Sequence, residues 1–117
     1  MSKTLGAIVL DGVAAELEKP TTGWTQHTWA RDATGTSVAF RVSNADNNHS
    51  MCFDAWLQVV ARRVGGGTPA LRQARDLLFQ HLKLEGEKRQ DAIITWNDAK
   101  GRTRQDLVNA ARAAAAA

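Results

Sequence analysis

Residues 96–106 decide much of the fold of this chain, and they read Trp-Asn-Asp-Ala-Lys-Gly-Arg-Thr-Arg-Gln-Asp. Trp, Asn and Gly are poor residues for a generic helix surface, because each gives up helix propensity for a particular backbone shape or contact. Thr103 and Asp106 have the spacing of a capping box, in which each side chain accepts a hydrogen bond from the other residue's backbone N–H. The segment therefore predicts a packed turn, followed by a last helix that begins after Thr103.

A second cluster, Gly23-Trp24-Thr25-Gln26, lies much earlier in the chain. Asn97 or Asp98 can bond to the backbone of the turn that follows them, and Thr25 and Gln26 can bond to the same region. Because buried polar groups need partners, we expect a polar brace between these distant segments. Its expected members are Thr25, Gln26, Asn97 and Asp98. The residues predicted to have a structural role in the motifs are Trp24, Gln26, Trp96, Asn97, Asp98 and Thr103. The alternative is that Asn97 and Asp98 bind a metal or form an acid–base pair, but one carboxylate without Asp, Glu or His nearby makes a poor metal site.

Apolar residues at helical spacing predict a first helix that ends before Pro20. Its apolar stripe consists of Leu5, Ile8, Val9, Gly12, Val13 and Leu17. Ser50 is the expected N-cap of a second helix, which glycines 65–67 end. Its apolar residues are Cys52, Ala55, Trp56, Val59 and Val60. Thr68 is the expected cap of a third helix with Pro69 in its first turn, and the short connection makes the two helices an antiparallel hairpin.

Turn and strand signals lie between the first two helices. Residues 26–31 and 37–42 are alternating or β-favouring and flank the turn-forming stretch 32–35, which predicts a short β-hairpin. Residues 92–96 are too few for periodicity to decide between a strand and a helical turn. We therefore predict an α+β fold that is mainly α, with about four helices and a small β-hairpin after the first helix. We expect residues 1–117 to form a single domain and the alanine-rich end, residues 110–117, to fray.

The composition excludes several classes of protein. Of the 117 residues, 44% are hydrophobic and 23% are charged, which is typical of globular and not of disordered chains. The stretch 5–17 contains Asp11 and Glu16 and falls short of the roughly 20 apolar residues that a membrane span needs. The single cysteine cannot form an internal disulfide, and the His and Cys residues lack the paired spacing of a zinc site. We therefore expect a cytoplasmic protein with no membrane contact, metal or cofactor.

Basic residues are concentrated in the second half of the chain. Residues 1–58 contain four basic and six acidic residues, whereas residues 59–117 contain eleven basic and six acidic ones. Four arginines flank the glycine turn, and an antiparallel helical hairpin gathers them at one end: Arg62, Arg63, Arg72 and Arg75. Such a patch can bind an acidic protein surface or the phosphates of a nucleic acid. The alternative is a solvated helix end in which Arg72 pairs with Asp76.

Cys52 is the candidate nucleophile, because a cysteine near a helix N-terminus can have a lowered pKa. In that interpretation Gln26 supplies an oxyanion donor, and Asn97 or Asp98 orients a histidine. His81, however, lies inside the third helix, and the other two histidines precede the cysteine, so the sequence places no base beside the thiol. We expect Cys52 to lie on the buried apolar stripe instead.

The four tryptophans could form an exposed aromatic platform for bases or a peptide. Core packing is favoured for Trp56 and Trp96, whose neighbours Val59 and Ile93 are apolar. Trp29 is the best candidate for an exposed ring, since the hairpin is too narrow to bury both of its faces. The sequence therefore adds Trp29 to the arginines as a candidate binding residue.

The order of these clusters resembles a family of small proteins of unknown function found in actinobacteria and their phages. The similar motifs are Gly-Trp-x-Gln at 23–26, Ala-Arg-Asp-x-x-Gly at 30–35, a cysteine opening a helix at 52, and Trp-Asn-Asp-x-x-Gly-Arg-Thr at 96–103. This chain differs after the cysteine, where the family tends to have small residues and Ala55-Trp56 stands here. The resemblance implies a shared fold and carriage by a phage or mobile element, and it implies no activity.

We therefore expect a non-enzymatic accessory protein that acts by protein–protein interaction and is phage- or mobile-element-encoded. The alternative is a basic nucleic-acid-binding regulator that uses the arginine end of the helical hairpin. A cysteine-dependent hydrolase is the third possibility. Nothing in the sequence predicts whether the protein forms homo-oligomers.

Overall fold

The computed structural model describes residues 3–117, apart from the side chain of Asn47. In this part of the chain the helices are α1 (Leu5–Glu18), α2 (Phe53–Arg63), α3 (Gly67–His81), α4 (Arg89–Asn97) and α5 (Arg104–Ala116). The strands are β1 (Gly23–Trp24), β2 (Ala30–Arg31), β3 (Ser37–Val38) and β4 (Ser50–Met51), and a 3₁₀ segment, Val42–Asn47, precedes β4. The predicted α+β, mainly α class is confirmed.

Helix α1 packs against three other helices, α5, α3 and α2. The hydroxyl of Thr4 caps it by accepting a hydrogen bond from the Ala7 N–H at 3.2 Å, and the helix ends at Glu18, ahead of the proline that predicted its end. Gly6 lets α1 approach α3 closely, because a Cβ there would lie 2.8 Å from the backbone nitrogen of Ala74. The glycine is therefore a requirement of helix packing, which a hydrophobic stripe alone does not reveal.

The hydrophobic core is formed mainly by α1, α2, α3 and α5. Its largest fully buried apolar side chains are Leu10, Leu17, Phe53, Leu57, Leu78, Ile93 and Leu107. Each such side chain contributes about 1.5–3 kcal/mol relative to an exposed position. The sheet lies beside this core, since Ala30 and Met51 are buried within the same cluster.

The sheet contains the predicted hairpin and a pairing that the sequence did not predict. Strands β2 and β3 are antiparallel, and β4 joins β2 on the other side, giving the order β1-β4-β2-β3. In the hairpin turn, Oδ1 of Asp32 accepts bonds from the backbone N–H groups of Thr34 at 2.9 Å and Thr36 at 3.1 Å. The hydroxyl of Thr34 also donates to this oxygen, and this bond is the main cause that lowers the pKa of Asp32. Strand β1 pairs with β4 in parallel, with Gly23 opposite Ser50.

The prediction of about four helices is wrong by one, because residues 92–96 belong to α4. Only Ile93 and Asn97 are buried in this helix, so it shows little apolar periodicity.

Two predicted caps are also wrong. Ser50 lies in β4, and α2 begins at Phe53 with Cys52 in the N-cap position. Helix α3 begins at Gly67, ahead of the predicted threonine cap.

The predicted start of α5 is correct. Oγ1 of Thr103 accepts from the Asp106 N–H at 3.2 Å, and Oδ2 of Asp106 accepts from the Thr103 N–H at 2.9 Å. The helix continues through Ala116, and Ala114 is buried against the core. Within residues 3–117 no helix is both long enough and apolar enough to cross a membrane.

Candidate functional site

Asn97, the last residue of α4, is fully buried and lies at the centre of a polar network. Its Oδ1 accepts hydrogen bonds from Nε1 of Trp24 at 2.7 Å and from the backbone N–H of Phe53 at 3.0 Å. Its Nδ2 donates to the backbone oxygen of Thr25 at 3.2 Å and to Oδ1 of Asp98 at 2.9 Å. Two acceptor sites and two donor hydrogens are all an asparagine side chain has, so its hydrogen-bonding capacity is used completely.

Gln26 and Asp98 extend this network between the same two segments. Nε2 of Gln26 donates to the backbone oxygen of Asn97 at 2.8 Å, one of the carbonyls that the helix end leaves without an intrahelical partner, and to that of Ala99 in the following turn at 3.0 Å. Oδ1 of Asp98 accepts from the backbone N–H of His27 at 2.8 Å. We call Trp24, Thr25, Gln26, Asn97 and Asp98 the polar brace. It joins the loop after α1 to the end of α4.

Gly23 sets the position of the tryptophan in the brace. A Cβ at this residue would lie 2.2 Å from the backbone oxygen of His49, so no other residue fits beside β4 here. The backbone oxygen of Gly23 accepts a hydrogen bond from Nε1 of Trp56 at 3.1 Å. Trp56 is buried, in accordance with the predicted core packing. The Gly-Trp pair is thus a steric and hydrogen-bonding requirement of the parallel pairing.

Trp96 and Arg102 close the turn that leads into α5. Trp96 is only half-buried, and its ring packs at a tilt against Phe53 with the centroids 5.8 Å apart. The Arg102 guanidinium lies 3.8 Å from the centre of the Trp96 ring, and its Nε donates to the Trp96 backbone oxygen at 2.9 Å. This half-buried position differs from the core position that the sequence predicted. The helix that follows begins at the capping box of Thr103.

A small cavity of about 160 Å³ lies next to the brace. His27, Trp29, Cys52 and Asp98 all line it, so the structure brings a thiol, an imidazole and a carboxylate to one cavity. The sequence did not predict this group, because His27 precedes the cysteine and lies far from it in the chain. The pairing of β4 with β1 on one side and with β2 on the other brings the two segments together.

The chemistry of this cavity opposes a nucleophilic thiol. Cys52 is 3% exposed. The pKa of its thiol is raised from 9.0 to about 11, chiefly because burial desolvates the thiolate and also because the carboxylates of Asp54 and Asp98 lie nearby, while hydrogen bonds from the backbone only partly offset these effects. The bond between His27 and Asp98 involves the His27 backbone N–H and not its ring, so it does not orient an imidazole base. The arrangement holds the thiol protonated near neutral pH.

Trp29, the predicted exposed tryptophan, is half-buried. Its ring stacks on Phe40 with 5.8 Å between centroids and an interplanar angle of 9°. The outer part of the hairpin thus covers part of the ring, and Trp29 also lines the cavity of Cys52.

The four predicted binding arginines do not form one patch. Arg75 points inward and makes a two-point contact with Asp54, with Nε to Oδ1 at 2.9 Å and Nη2 to Oδ2 at 2.8 Å. The Asp54 side chain is fully buried, and the Arg75 side chain is 17% exposed. Gln58 and Gln90 also donate to Oδ2 of Asp54, at 3.0 and 3.3 Å. Arg75 is therefore part of an internal network that joins α2, α3 and α4, and its prediction as a surface residue is wrong.

The other three arginines lie at the surface, with different surroundings. Arg63 forms ion pairs with Glu16 at 2.9 Å and Asp46 at 3.4 Å. Arg72 is exposed, and its predicted pairing with Asp76 is replaced by an ion pair between Asp76 and Arg89. Arg62 is exposed as well, and within the described part of the chain its side chain makes no hydrogen bond or ion pair.

Arg62 lies on the wall between two depressions. One has a volume of about 450 Å³ and is lined by Val42, Ala61, Arg62 and Leu71 among others. The other, of about 280 Å³, lies between the 3₁₀ segment and α2 and is lined by Val42, Val59, Arg62 and Arg63. We call this region, Val42, Val59, Ala61, Arg62 and Leu71, the Arg62 surface. Val64, at the end of α2, is 41% exposed.

A family model described as a family of unknown function, DUF6197, matches residues 1–117. The chain belongs to this family. No curated protein and no solved structure matches it. In this DUF6197 member, the motif residues of the brace use their polar atoms inside the fold, whereas Arg62 and Arg72 leave theirs in solvent. Among the described residues no group of three or more His, Cys, Asp and Glu side chains is placed to hold a metal ion.

Proposed function

We propose that this protein is a non-enzymatic accessory protein that acts by binding another protein through the Arg62 surface. The observation that carries the proposal is the position of Arg62, which is exposed and lines both depressions. Arginine is enriched among the residues that contribute most to protein interfaces, especially where apolar pockets surround it. Here Val42 lines both depressions and Leu71 lines the larger one.

The chemistry of the surface defines the partner. An apolar side chain of the partner would occupy the larger depression, and a carboxylate would pair with the Arg62 guanidinium, which can bind both carboxylate oxygens at once. Asp46, in contrast, already pairs with Arg63 and reduces the positive field at the smaller depression. The partner surface is therefore acidic and apolar, with its acidic group close to Arg62.

The geometry favours a protein partner over a nucleic acid. Binding to a nucleic acid depends on how many phosphates the protein neutralises. Arg75 is bound to buried Asp54, and Arg63 is bound to Glu16 and Asp46, so two of the four predicted arginines have carboxylate partners within the fold. Arg62 and Arg72 alone would neutralise too few phosphates for tight binding at physiological salt.

Site-specific photo-crosslinking in cells that naturally make the protein tests the proposal. A benzoylphenylalanine in place of Val64 should give a discrete protein adduct, and the same group at Thr36 in the hairpin turn should not. The adduct should vanish in Arg62→Ala and persist in Arg72→Ala, since Arg72 lines neither depression. An adduct that persists in Arg62→Ala, or no adduct at Val64, would overturn the proposal. An adduct removed by nuclease would favour the nucleic-acid regulator.

Purified components then measure the contribution of Arg62. With the identified partner, Arg62→Ala should raise the dissociation constant by about 30-fold, equivalent to about 2 kcal/mol, as is typical of a central arginine in an interface. Arg72→Ala is the matched control and should change it by less than about twofold. Equal effects of the two variants would show that general charge, and not the Arg62 surface, drives binding.

We also propose that the gene is carried by an actinobacterial phage or mobile element and that the protein acts in the cytoplasm of the host. The order of the motifs from Gly23 to Thr103 supports this origin, and an unpaired cysteine agrees with a reducing compartment. The neighbouring genes test it. Virion, defence or integration genes beside it would support carriage, and a housekeeping operon would contradict it.

A further inference from the structure

A groove of about 690 Å³ runs along α4, on a side of the molecule that neither the brace nor the Arg62 surface uses. The loop between α3 and α4 forms one wall, and α4 with the turn after it forms the other. Half-buried apolar side chains line its lower part, namely Leu84, Ala92 and Trp96. Exposed carboxylates stand along its rim, namely Glu85, Glu87 and Asp91.

Trp96 is held in place before any ligand arrives. Phe53 packs against its ring, and Arg102 covers the ring and bonds to its backbone oxygen. A large aromatic side chain that is already ordered loses little conformational freedom on binding. Together with Leu84 and Ala92 it forms an apolar base that can receive one apolar side chain of a partner.

The rim of the groove is locally acidic within the basic half of the chain. It carries three carboxylates against one ammonium, that of Lys88. No ion pair engages any of these four groups in residues 3–117, where every ion pair involves a carboxylate outside the groove. Asp91 stabilises α4 through the helix dipole, since it lies in the first turn. Glu85 and Glu87 lie outside the helix and have no such role.

We propose that this groove binds a short basic segment of a partner protein, in which one apolar side chain enters against Trp96 and Leu84 and flanking Lys or Arg residues pair with the rim. Charge complementarity of this kind selects basic partners and repels acidic ones. The groove excludes nucleic acids for the same reason. This site is separate from the Arg62 surface and prefers the opposite charge, so the protein can hold two partners at once.

Synthetic peptides titrated into the full chain test the proposal by calorimetry and by NMR shift mapping. The probes are 12-residue peptides with a central Leu or Phe flanked by four Lys or Arg residues, and matched peptides with Glu in place of every basic residue. The basic peptides should bind and shift the amide signals of residues 84–99, and their affinity should fall as the salt concentration is raised. Binding of the acidic peptides to the groove, or shifts centred on the Arg62 surface, would overturn the proposal, as would no binding of basic peptides at millimolar concentration.

Two variants separate charge from shape, and neither touches the core. Neutralising the rim with Glu85→Gln, Glu87→Gln and Asp91→Asn should weaken binding about tenfold, since each exposed pair contributes modestly. Thr95→Trp leaves the charges in place and fills the groove at an exposed position, so it should abolish binding. A double control away from the groove, Glu18→Gln with Asp46→Asn, should leave it unchanged. Unaltered binding by both groove variants, with their circular dichroism unchanged, would refute the site.

Discussion

The polar brace and the Arg62 surface are both rich in hydrogen-bonding groups, and they use them in opposite ways. In the brace, Asn97 makes all four bonds that its side chain allows, and three of the four partners, Trp24, Thr25 and Phe53, belong to other segments of the fold. On the Arg62 surface the guanidinium remains in solvent beside two depressions. The residues that stand out most in the sequence therefore build the fold, and the less conspicuous ones are left free to bind.

The same contrast exists within α3. Arg72 and Arg75 lie in the same helix, yet one is exposed and the other is bound to a buried carboxylate. The two residues are only about 60° apart around the helix axis, and what separates them is that Arg75 is within reach of Asp54 on α2. The comparison teaches that charge counted along a helix overstates the charge available to a partner.

The largest expected effect is that of breaking the brace. Asn97→Ala should lower the free energy of unfolding by about 4 kcal/mol, because the Trp24 indole N–H, the Phe53 N–H and the Thr25 carbonyl lose their partner in a buried place. Urea unfolding followed by tryptophan fluorescence measures it. Asn109→Ala, at an exposed position of α5, is the control and should change stability by less than about 0.5 kcal/mol. An Asn97→Ala variant with the same free energy of unfolding as the parent would show that the brace does not stabilise the fold.

Substituting Arg72 and Arg75 of α3 in turn tests the same comparison within one helix. Arg75→Ala should cost about 3 kcal/mol, toward the lower end of values for a broken buried pair, since the arginine side chain keeps some solvent contact. Arg72→Ala should be within about 0.5 kcal/mol of the parent. Thermal and urea unfolding of the two variants, measured side by side, give the difference. Equal stabilities would mean that water or Gln58 and Gln90 satisfy Asp54 without the arginine.

The buried thiol of Cys52, beside the brace, should make the stability of the protein depend on pH. Burial raises the pKa of Cys52 to about 11 in the folded state, so between pH 9 and pH 11 the unfolded chain ionises the thiol while the folded chain keeps its proton. This contribution to stability is fully present below pH 9 and is lost as the pH rises through 11, and it amounts to about 2–3 kcal/mol.

The parent and Cys52→Ser should be compared by urea unfolding at pH 8 and pH 11. The free energy of unfolding of the parent should fall by more than that of Cys52→Ser between the two pH values, because the serine hydroxyl does not titrate in this range. Iodoacetamide should react slowly with the native protein and quickly in urea. Fast labelling of the native thiol at pH 7 would mean that its pKa is low and would revive the hydrolase hypothesis.

The smallest effect concerns the backbone at the edge of the brace. His27 has φ of 67°, a conformation that glycine adopts more readily than other residues. His27→Gly should therefore raise the unfolding free energy by about 1 kcal/mol relative to His27→Ala, which lacks the ring but keeps the strain. The difference between the two melting temperatures checks it. If the alanine variant were the more stable, the backbone here would carry no strain.

Much of the fold was predictable because its signals are local. The end of α1, the turn at Asp32 and the capping box of Thr103 each depend on residues within a few positions, and the structure contains all three. The predicted apolar stripe of α1 is only partly correct, because Val9, Val13 and Leu17 are buried whereas Leu5 and Ile8 are exposed. Helix α4 was missed because it buries only two residues and so lacks an apolar stripe. The Asp54–Arg75 pair was missed because nothing local distinguishes a buried carboxylate from an exposed one.

By itself, the sequence determined helices α1, α2, α3 and α5, the hairpin, and the residue types that meet in the brace. Helix periodicity, capping and turn chemistry are properties of short stretches, and the need of buried polar groups for partners is general. Only the tertiary structure decided that Gly23 pairs with Ser50, that Cys52 shares a cavity with His27, and which arginines face solvent. These outcomes depend on how distant segments pack together. The burial that this packing produces cannot be predicted from the sequence of any single segment.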